Sequence, residues 1–309
     1  MAGLETILML FVLIGLGYLG KRTVLQGHSM APLNLFVFYF AVPALLFNSV
    51  YKLSIDSIFQ PLAMLAFLLA VVATALIAAF GCALFFSERN KEVLVIRALN
   101  GTFSNYAYMG IPVVFGLLGE EAYGAMICII LLGNVFQIGG TQFLIESMRQ
   151  EGQGIRQLLK ILDKALLRSP IFIPTLLGVI VSATQISLPG VLVNSLAMLA
   201  PATVPVALFC LGASLEFKTL KDSKIELFWL VLIKLLVHPL LTWLSFKAIG
   251  VDDQSWLMAA VLLAALPTGA LAHVMAARYD VKEKETSLTV VLSTLVSVIS
   301  ITVWVAVLG

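Results

Sequence analysis

Charge is scarce in this chain, and so are the residues that most enzymes and metalloproteins rely on. Only 12% of the 309 residues are charged, three are histidine and three are cysteine. Cys82, Cys128 and Cys210 each fall in an apolar run without a second ligand at metal-binding spacing, which excludes a disulfide framework and a cysteine metal site. No HExxH, nucleophile elbow or pair of intramembrane aspartates occurs, so an enzyme is not expected. No basic tract suggests nucleic acid, and the formal net charge is only +2. None of the 17 Asp and Glu residues sits deep in an apolar run, since Glu146, Glu216 and Glu226 lie at edges. That absence disfavours ion exchange through a buried carboxylate pair.

What is abundant is apolar surface. Hydrophobic residues make up 61% of the chain and mean hydropathy is +1.04, more than a soluble core can hide. Runs long enough for a helix to cross the hydrocarbon core are predicted near 4–20, 32–51, 59–86, 93–118, 122–146, 170–188, 191–215, 227–246, 254–277 and 288–308. The first run lacks a basic n-region and a cleavage site, so it reads as a retained span.

Scored alternately, the connections carry sixteen Lys and Arg residues on one side and only Lys52 and Lys247 on the other. The positive-inside rule then predicts a multi-pass protein with both termini outside. The longest polar connection divides a first five-helix unit, 1–146, from a second, 170–309. Within the linker, 147–169, Ile155, Leu158, Leu159, Leu162 and Leu166 share one helical face and Arg156, Lys160 and Lys164 another. Such a helix is expected to lie on the anionic inner leaflet or to serve as a solvated linker.

Five spans per unit place the second unit upside down relative to the first. VPALLFNSVYKL (Val42 to Leu53) and VPVALFCLGASL (Val204 to Leu215) match at Val, Pro, Leu, Phe and Leu, with Pro205 lying 162 residues beyond Pro43. The same offset carries Asn105 onto Pro267. Each lies fourteen residues beyond a loop residue, Lys91 or Asp253, or about 21 Å of helix, so the two are expected to meet near the bilayer middle. An inverted repeat follows.

At that depth the sequence places helix-breaking residues. In NGTFSNYAYMGIPVVFGLLG (Asn100 to Gly119), Pro112 has no N–H for the Tyr108 carbonyl and Gly110 loosens the same turn. In LLAALPTGALAHVMAA (Leu262 to Ala277), Pro267, Thr268 and Gly269 repeat the design. Half-helix N-termini directed at one point would suit an anion. Substrate contact is therefore expected from Asn105, Tyr106, Gly110, Pro112, Pro267, Thr268 and Gly269. Asn134 and Gln137, one turn apart in the fifth span, are expected to face the same cavity or to make interhelical hydrogen bonds. Lys234 and His238, at i and i+4 in the eighth span, are candidates for a charge or proton role. The alternatives there are snorkelling by Lys234 and an interhelical bond from His238.

The segments NYAYMGIPVVFGLLG, EEAYGAMICIILLGNVFQIGGTQFLIES and AALPTGALAHVMAARYDV resemble the auxin efflux carrier superfamily, which includes plant carriers and bacterial malonate-type permeases. The resemblance covers nearly the whole chain. It implies an all-α integral membrane fold of the bile-acid-symporter type, with ten helices in two inverted repeats and crossing, broken fourth and ninth helices. It also implies elevator-like alternating access and frequent homodimers. On this resemblance Asn105 matches the crossover asparagine and Asn134 a polar ligand of the fifth helix. Plant members carry Pro-Asn where this chain has Ser104-Asn105, and the acidic residue of their third helix has no counterpart between Pro61 and Phe86. The long cytosolic loop of plant members is absent too, so a short bacterial inner-membrane type fits. The expected function is transport of a small organic anion such as a carboxylate, without a cofactor and with Na⁺ or H⁺ open as coupling ion. The alternative is a membrane-embedded sensor that binds a ligand without moving it.

Overall fold

The computed structural model describes residues 2–51, 59–149, 159, 163, 170–184, 186–215 and 224–308. Apart from Leu159, the linker residues expected to form an amphipathic helix lie outside the described residues. In chain order the helices are α1 (Ala2–Arg22), α2 (Ala31–Val50), α3 (Pro61–Phe85), α4 (Lys91–Thr102), α5 (Tyr106–Leu117) and α6 (Glu120–Met148). They continue with α7 (Phe172–Thr184), α8 (Gly190–Ser214), α9 (Lys224–Ile249), α10 (Gln254–Ala265), α11 (Ala270–Tyr279) and α12 (Glu283–Leu308).

Among the described residues six helices are long and apolar enough to cross a membrane, namely α2, α3, α6, α8, α9 and α12. Their outward faces are apolar. Leu62, Val72, Phe80 and Leu84 on α3 are all more than half exposed, a surface that water would penalise and lipid accepts. The chain therefore has the architecture of an integral membrane protein.

Local chemistry sets the shorter helices. Asn90 caps α4, its side-chain oxygen accepting from the Glu92 N–H at 2.9 Å. Asp253 caps α10, accepting from the Trp256 N–H at 3.0 Å. The interior of the fold is built on α10, whose residues from Ala259 to Ala265 are at most 1% exposed. Against it pack α9, α6 and α12.

Both expected interruptions occur, one of them at a different place. The second falls at Leu266–Gly269, where the residue before Pro267 is driven to extended backbone, φ −65° and ψ 158° at Leu266. The first falls at Phe103–Asn105, upstream of Pro112. Pro112 sits in the opening turn of the α-helical part of α5, where a missing N–H costs little. A π-turn over Tyr106–Gly110 precedes it and absorbs the irregularity, the Gly110 N–H reaching back to the Asn105 carbonyl at 2.9 Å.

Candidate functional site

The two interruptions meet. Ser104 and Thr268 form an isolated antiparallel bridge, flanked by two main-chain bonds: Asn105 N–H to the Pro267 carbonyl and Gly269 N–H to the Phe103 carbonyl, each 2.9 Å. The Thr268 hydroxyl donates to the Asn100 carbonyl at 2.8 Å, and the Thr268 N–H donates to Ser293 Oγ on α12 at 3.0 Å. The Asn100 amide donates to Thr286 Oγ1 at 3.0 Å. Buried backbone that leaves a helix needs such partners. The interruptions supply most of them to each other.

This corrects one expectation. The Asn105 and Gly269 N–H groups do not point at an open site; they are used in the crossing itself. The next N–H groups, of Ala107 and Tyr108 on α5 and of Ala270 and Leu271 on α11, lie in first turns and lack intrahelical acceptors by geometry. All four residues line one cavity of about 900 Å³.

Asn105, Tyr106 and Gly269 line this cavity too, together with Ser104, Asn34 on α2 and Asn134 on α6. Asn105 is 3% exposed and its Nδ2 has no hydrogen-bond partner. A buried donor left without an acceptor is costly, of order 1–3 kcal/mol, and Asn105 belongs to the cavity wall. Tyr108 closes the α2 side, its hydroxyl donating to Asn34 Oδ1 at 2.9 Å.

Other sequence candidates support the crossing from behind. Gln137 does not line the cavity. Its Nε2 donates to the Thr102 carbonyl at 3.1 Å and its Oε1 accepts from the Tyr106 hydroxyl at 3.1 Å, so it serves the last turn of α4, whose carbonyls have no helical partner. Gly110 and Gly269 are sites of close approach: a Cβ on Gly110 would stand 2.9 Å from Leu263 Cδ2, and one on Gly269 would stand 2.7 Å from the Ser104 carbonyl oxygen. Pro112 and Thr268 are fully or almost fully buried and lie outside the cavity wall, as does Pro267.

Lys234 and His238 are both 0% exposed and lie away from the cavity. Lys234 Nζ donates to the Ala264 carbonyl at 2.6 Å and lies 3.4 Å from His238 Nδ1. Ala264 belongs to the last turn of α10, the negative end of a helix that stops inside the protein. The Lys234 side-chain nitrogen therefore caps an interrupted helix, which the buried lysine alone did not reveal.

At the far end of the cavity is a residue that the sequence did not single out, Arg278 in the last turn of α11. Its Nη2 donates to Glu146 Oε1 at 3.2 Å, and the same oxygen accepts from Gln142 Nε2 and the Tyr279 hydroxyl, each at 2.9 Å. Beside them Arg149 bonds both oxygens of Glu92, at 2.9 and 2.6 Å, and the Tyr279 carbonyl at 2.8 Å. That pairing holds the Glu92 carboxyl below its ordinary range. A cation in the last turn of an interrupted helix was the signal available for Arg278. Among the described residues no cluster of His, Cys, Asp and Glu could hold a metal ion.

Interrupted helices paired through their main chains beside a polar-lined cavity, inside a lipid-facing bundle, define a membrane transport protein. The family described as "Membrane transport protein" matches residues 2–305. The chain belongs to that family, the auxin efflux carrier group that its MGIP and LPTG segments resemble. It is 31% identical over 306 residues to the "Putative malonate transporter" of Rhizobium meliloti (strain 1021), covering 96% of this chain and 92% of that protein. It is 26% identical to an "Uncharacterized transporter" of Methanothermobacter thermautotrophicus, covering 100% and 99% of the two chains. It is also 24% identical to the "Uncharacterized transporter YfdV" of Escherichia coli (strain K12), covering 97% and 95%. Like its family and the relatives it matches, this is a multi-pass membrane transporter.

Proposed function

We propose that this chain moves a small organic anion, a carboxylate, across the bacterial inner membrane, binding it where the two interruptions cross. The observation that carries this reading is the buried, unpartnered Asn105 Nδ2 on the wall of a cavity that also receives the first turns of α5 and α11. Neutral donors at two positive helix ends stabilise a carboxylate without a compensating cation. Among the described residues no Asp or Glu is buried, so nothing acidic opposes an anion in the interior. The printed name of the Rhizobium relative points to the same substrate class. On this reading Asn105, Tyr106, Asn134 and Gly269 touch the substrate, whereas Gly110, Pro112, Gln137, Pro267 and Thr268 hold the crossing in shape.

The transport mechanism we propose is alternating access by an elevator-like movement of ten spans arranged as two inverted units, 1–146 and 170–309. The pairing of helices supports it. α1 packs on α8 and α7 packs on α2, the exchange expected when two copies interlock. α3 lies on α4 as α9 lies on α10. Ala31, Pro170 and Arg278, which line the cavity, border the basic connections that the positive-inside rule assigns to the cytoplasm. The cavity thus faces inward, with both chain ends outside.

A proteoliposome flux assay tests the reading. Carboxylate uptake that is saturable in the wild type and reduced at least about tenfold in a folded Asn105→Ala protein is expected; one lost charge-assisted hydrogen bond is of that order. Undiminished uptake by Asn105→Ala would refute the site, and saturable binding without any flux would make the protein a sensor. Imposing Na⁺, proton or potential gradients in the same vesicles identifies the driving force.

A further inference from the structure

Arg278 is the only formally charged residue on the cavity wall among the described residues. Its side chain is 43% exposed, and its hydrogen bond to Glu146 uses Nη2. A guanidinium offers five N–H donors in a planar fork suited to a carboxylate. The bond to Glu146 uses one nitrogen of that fork, and the guanidinium carbon lies 5.3 Å from the centre of the Tyr279 ring. Glu146, 14% exposed, is already shared with Gln142 and Tyr279 through the same oxygen.

Arg278 stands nine residues beyond Gly269, about 13 Å along α11, and side chains on a helix lean toward its N-terminus. Gly269 is bonded to Phe103, two residues before Asn105. The cavity therefore has two unlike ends. The inner end offers neutral donors, the Asn105 amide and the first helical turns. The outer end offers a guanidinium whose charge is partly offset by Glu146. An uncharged tail would gain nothing at the outer end and would compete with water for the arginine.

We infer that Arg278 is a specificity-determining residue that selects substrates carrying a second acidic group, making the chain a dicarboxylate transporter. This inference rests on the anion reading above and adds the class of anion. One carboxylate meets Asn105, and the other displaces or shares Glu146 on Arg278. Glu146 is then the internal competitor that holds the arginine in place when the cavity is empty. Because the two ends are separated along α11, diacids longer than malonate bridge them best.

The test compares linear dicarboxylates from malonate to glutarate with their monoamides, which keep the length and lose one charge, in proteoliposome uptake. The wild type is expected to show a KM for succinate about tenfold lower than for succinamate, the effect of one charged hydrogen-bonded contact. Arg278→Gln should raise the succinate KM to the succinamate value, with the succinamate KM changing much less than the succinate KM, and Arg278→Lys should keep part of the preference. Glu146→Gln should widen the preference, because it removes the competitor. A wild type that treats diacid and monoamide alike overturns the inference. So does an Arg278→Gln protein that retains the preference, or one that loses both substrates equally, because a structural arginine acts on both. If Arg278→Gln does not fold, the lysine and Glu146→Gln variants decide the matter, since a structural ion pair predicts no gain from Glu146→Gln. Good monocarboxylate flux with no effect at Arg278 sinks this inference alone, whereas absence of any carboxylate binding or flux removes the anion reading as well.

Discussion

The Asn105 N–H donates to the Pro267 carbonyl at 2.9 Å, across 162 residues of sequence. Gly269 returns the bond to Phe103, and between them Ser104 faces Thr268. Two short pieces of extended chain thus satisfy each other inside a helical protein, at the wall of the cavity.

Space at that contact is limiting. A Cβ at Gly269 would lie 2.6 Å from the Phe103 ring and 2.7 Å from the Ser104 carbonyl oxygen. Gly269→Ala is expected to destabilise the protein by roughly 1–3 kcal/mol, as overpacking does, and to lower its melting temperature in detergent. Removing the ring with Phe103→Ala in the same protein should restore only part of the loss, because the backbone oxygen remains. Full restoration would locate the clash in the ring alone.

Gln137 bonds a hydroxyl and a carbonyl at once, so its two neighbours should respond unequally. Tyr106→Phe removes one buried bond and should cost about 1 kcal/mol. Gln137→Leu removes the bonds to both the Tyr106 hydroxyl and the Thr102 carbonyl and should cost more, up to about 3 kcal/mol. Equal melting temperatures for the two variants would show that the Thr102 bond contributes nothing.

For Lys234, replacement by Met deletes the donor to the Ala264 carbonyl. A loss of about 1–3 kcal/mol is expected from the orphaned acceptor, read as a lower melting temperature. A weaker apparent affinity for the transported anion is also expected, read in the flux assay, because α10 positions Pro267. An unchanged melting temperature would mean that water or another group replaces the ammonium.

Acid should weaken the tie between α6 and α4. Arg149 lowers the Glu92 carboxyl from its ordinary 4.5, so the pair stabilises the folded protein above the unfolded value and loses that contribution as pH falls through the lower, folded one. Both groups are partly exposed, which limits the effect to about 1 kcal/mol or less. The stability difference between wild type and Arg149→Gln should therefore shrink between pH 5 and pH 3, as a set of melting curves would show. A difference that is flat with pH would assign the contribution to contacts of Arg149 other than Glu92, such as the Tyr279 carbonyl and ring.

The apolar runs and the second interruption were legible because their signals are local: length, hydropathy, and a proline that constrains the residue before it. The first interruption was misplaced at Pro112. Its cause is the remote segment Leu266–Gly269, whose Pro267 and Gly269 bond the main chain of Asn105 and Phe103 on either side of Ser104; the 162-residue offset anticipates that meeting, but no local signal at Ser104 marks the break. Asn134 and Gln137 were assigned to one face by a 3.6-residue period. The π-turn spanning Gly133–Gly139 changes the register there, so one residue faces the cavity and the other its support. Lys234 was conspicuous as a buried charge, yet its role depends on where α10 stops. Arg278 drew no notice because an arginine near a helix end is ordinary until the cavity beneath it is seen.

The Ser104 to Thr268 bridge joins segments from opposite halves of the polypeptide into one small plank of extended chain. Prising it open within hydrocarbon would strand four main-chain polar groups at several kcal/mol apiece. On the proposed reading, cargo bound beside that plank rides with it, and its passage from one face of the bilayer to the other slides the whole joint past its surroundings instead of unfastening it.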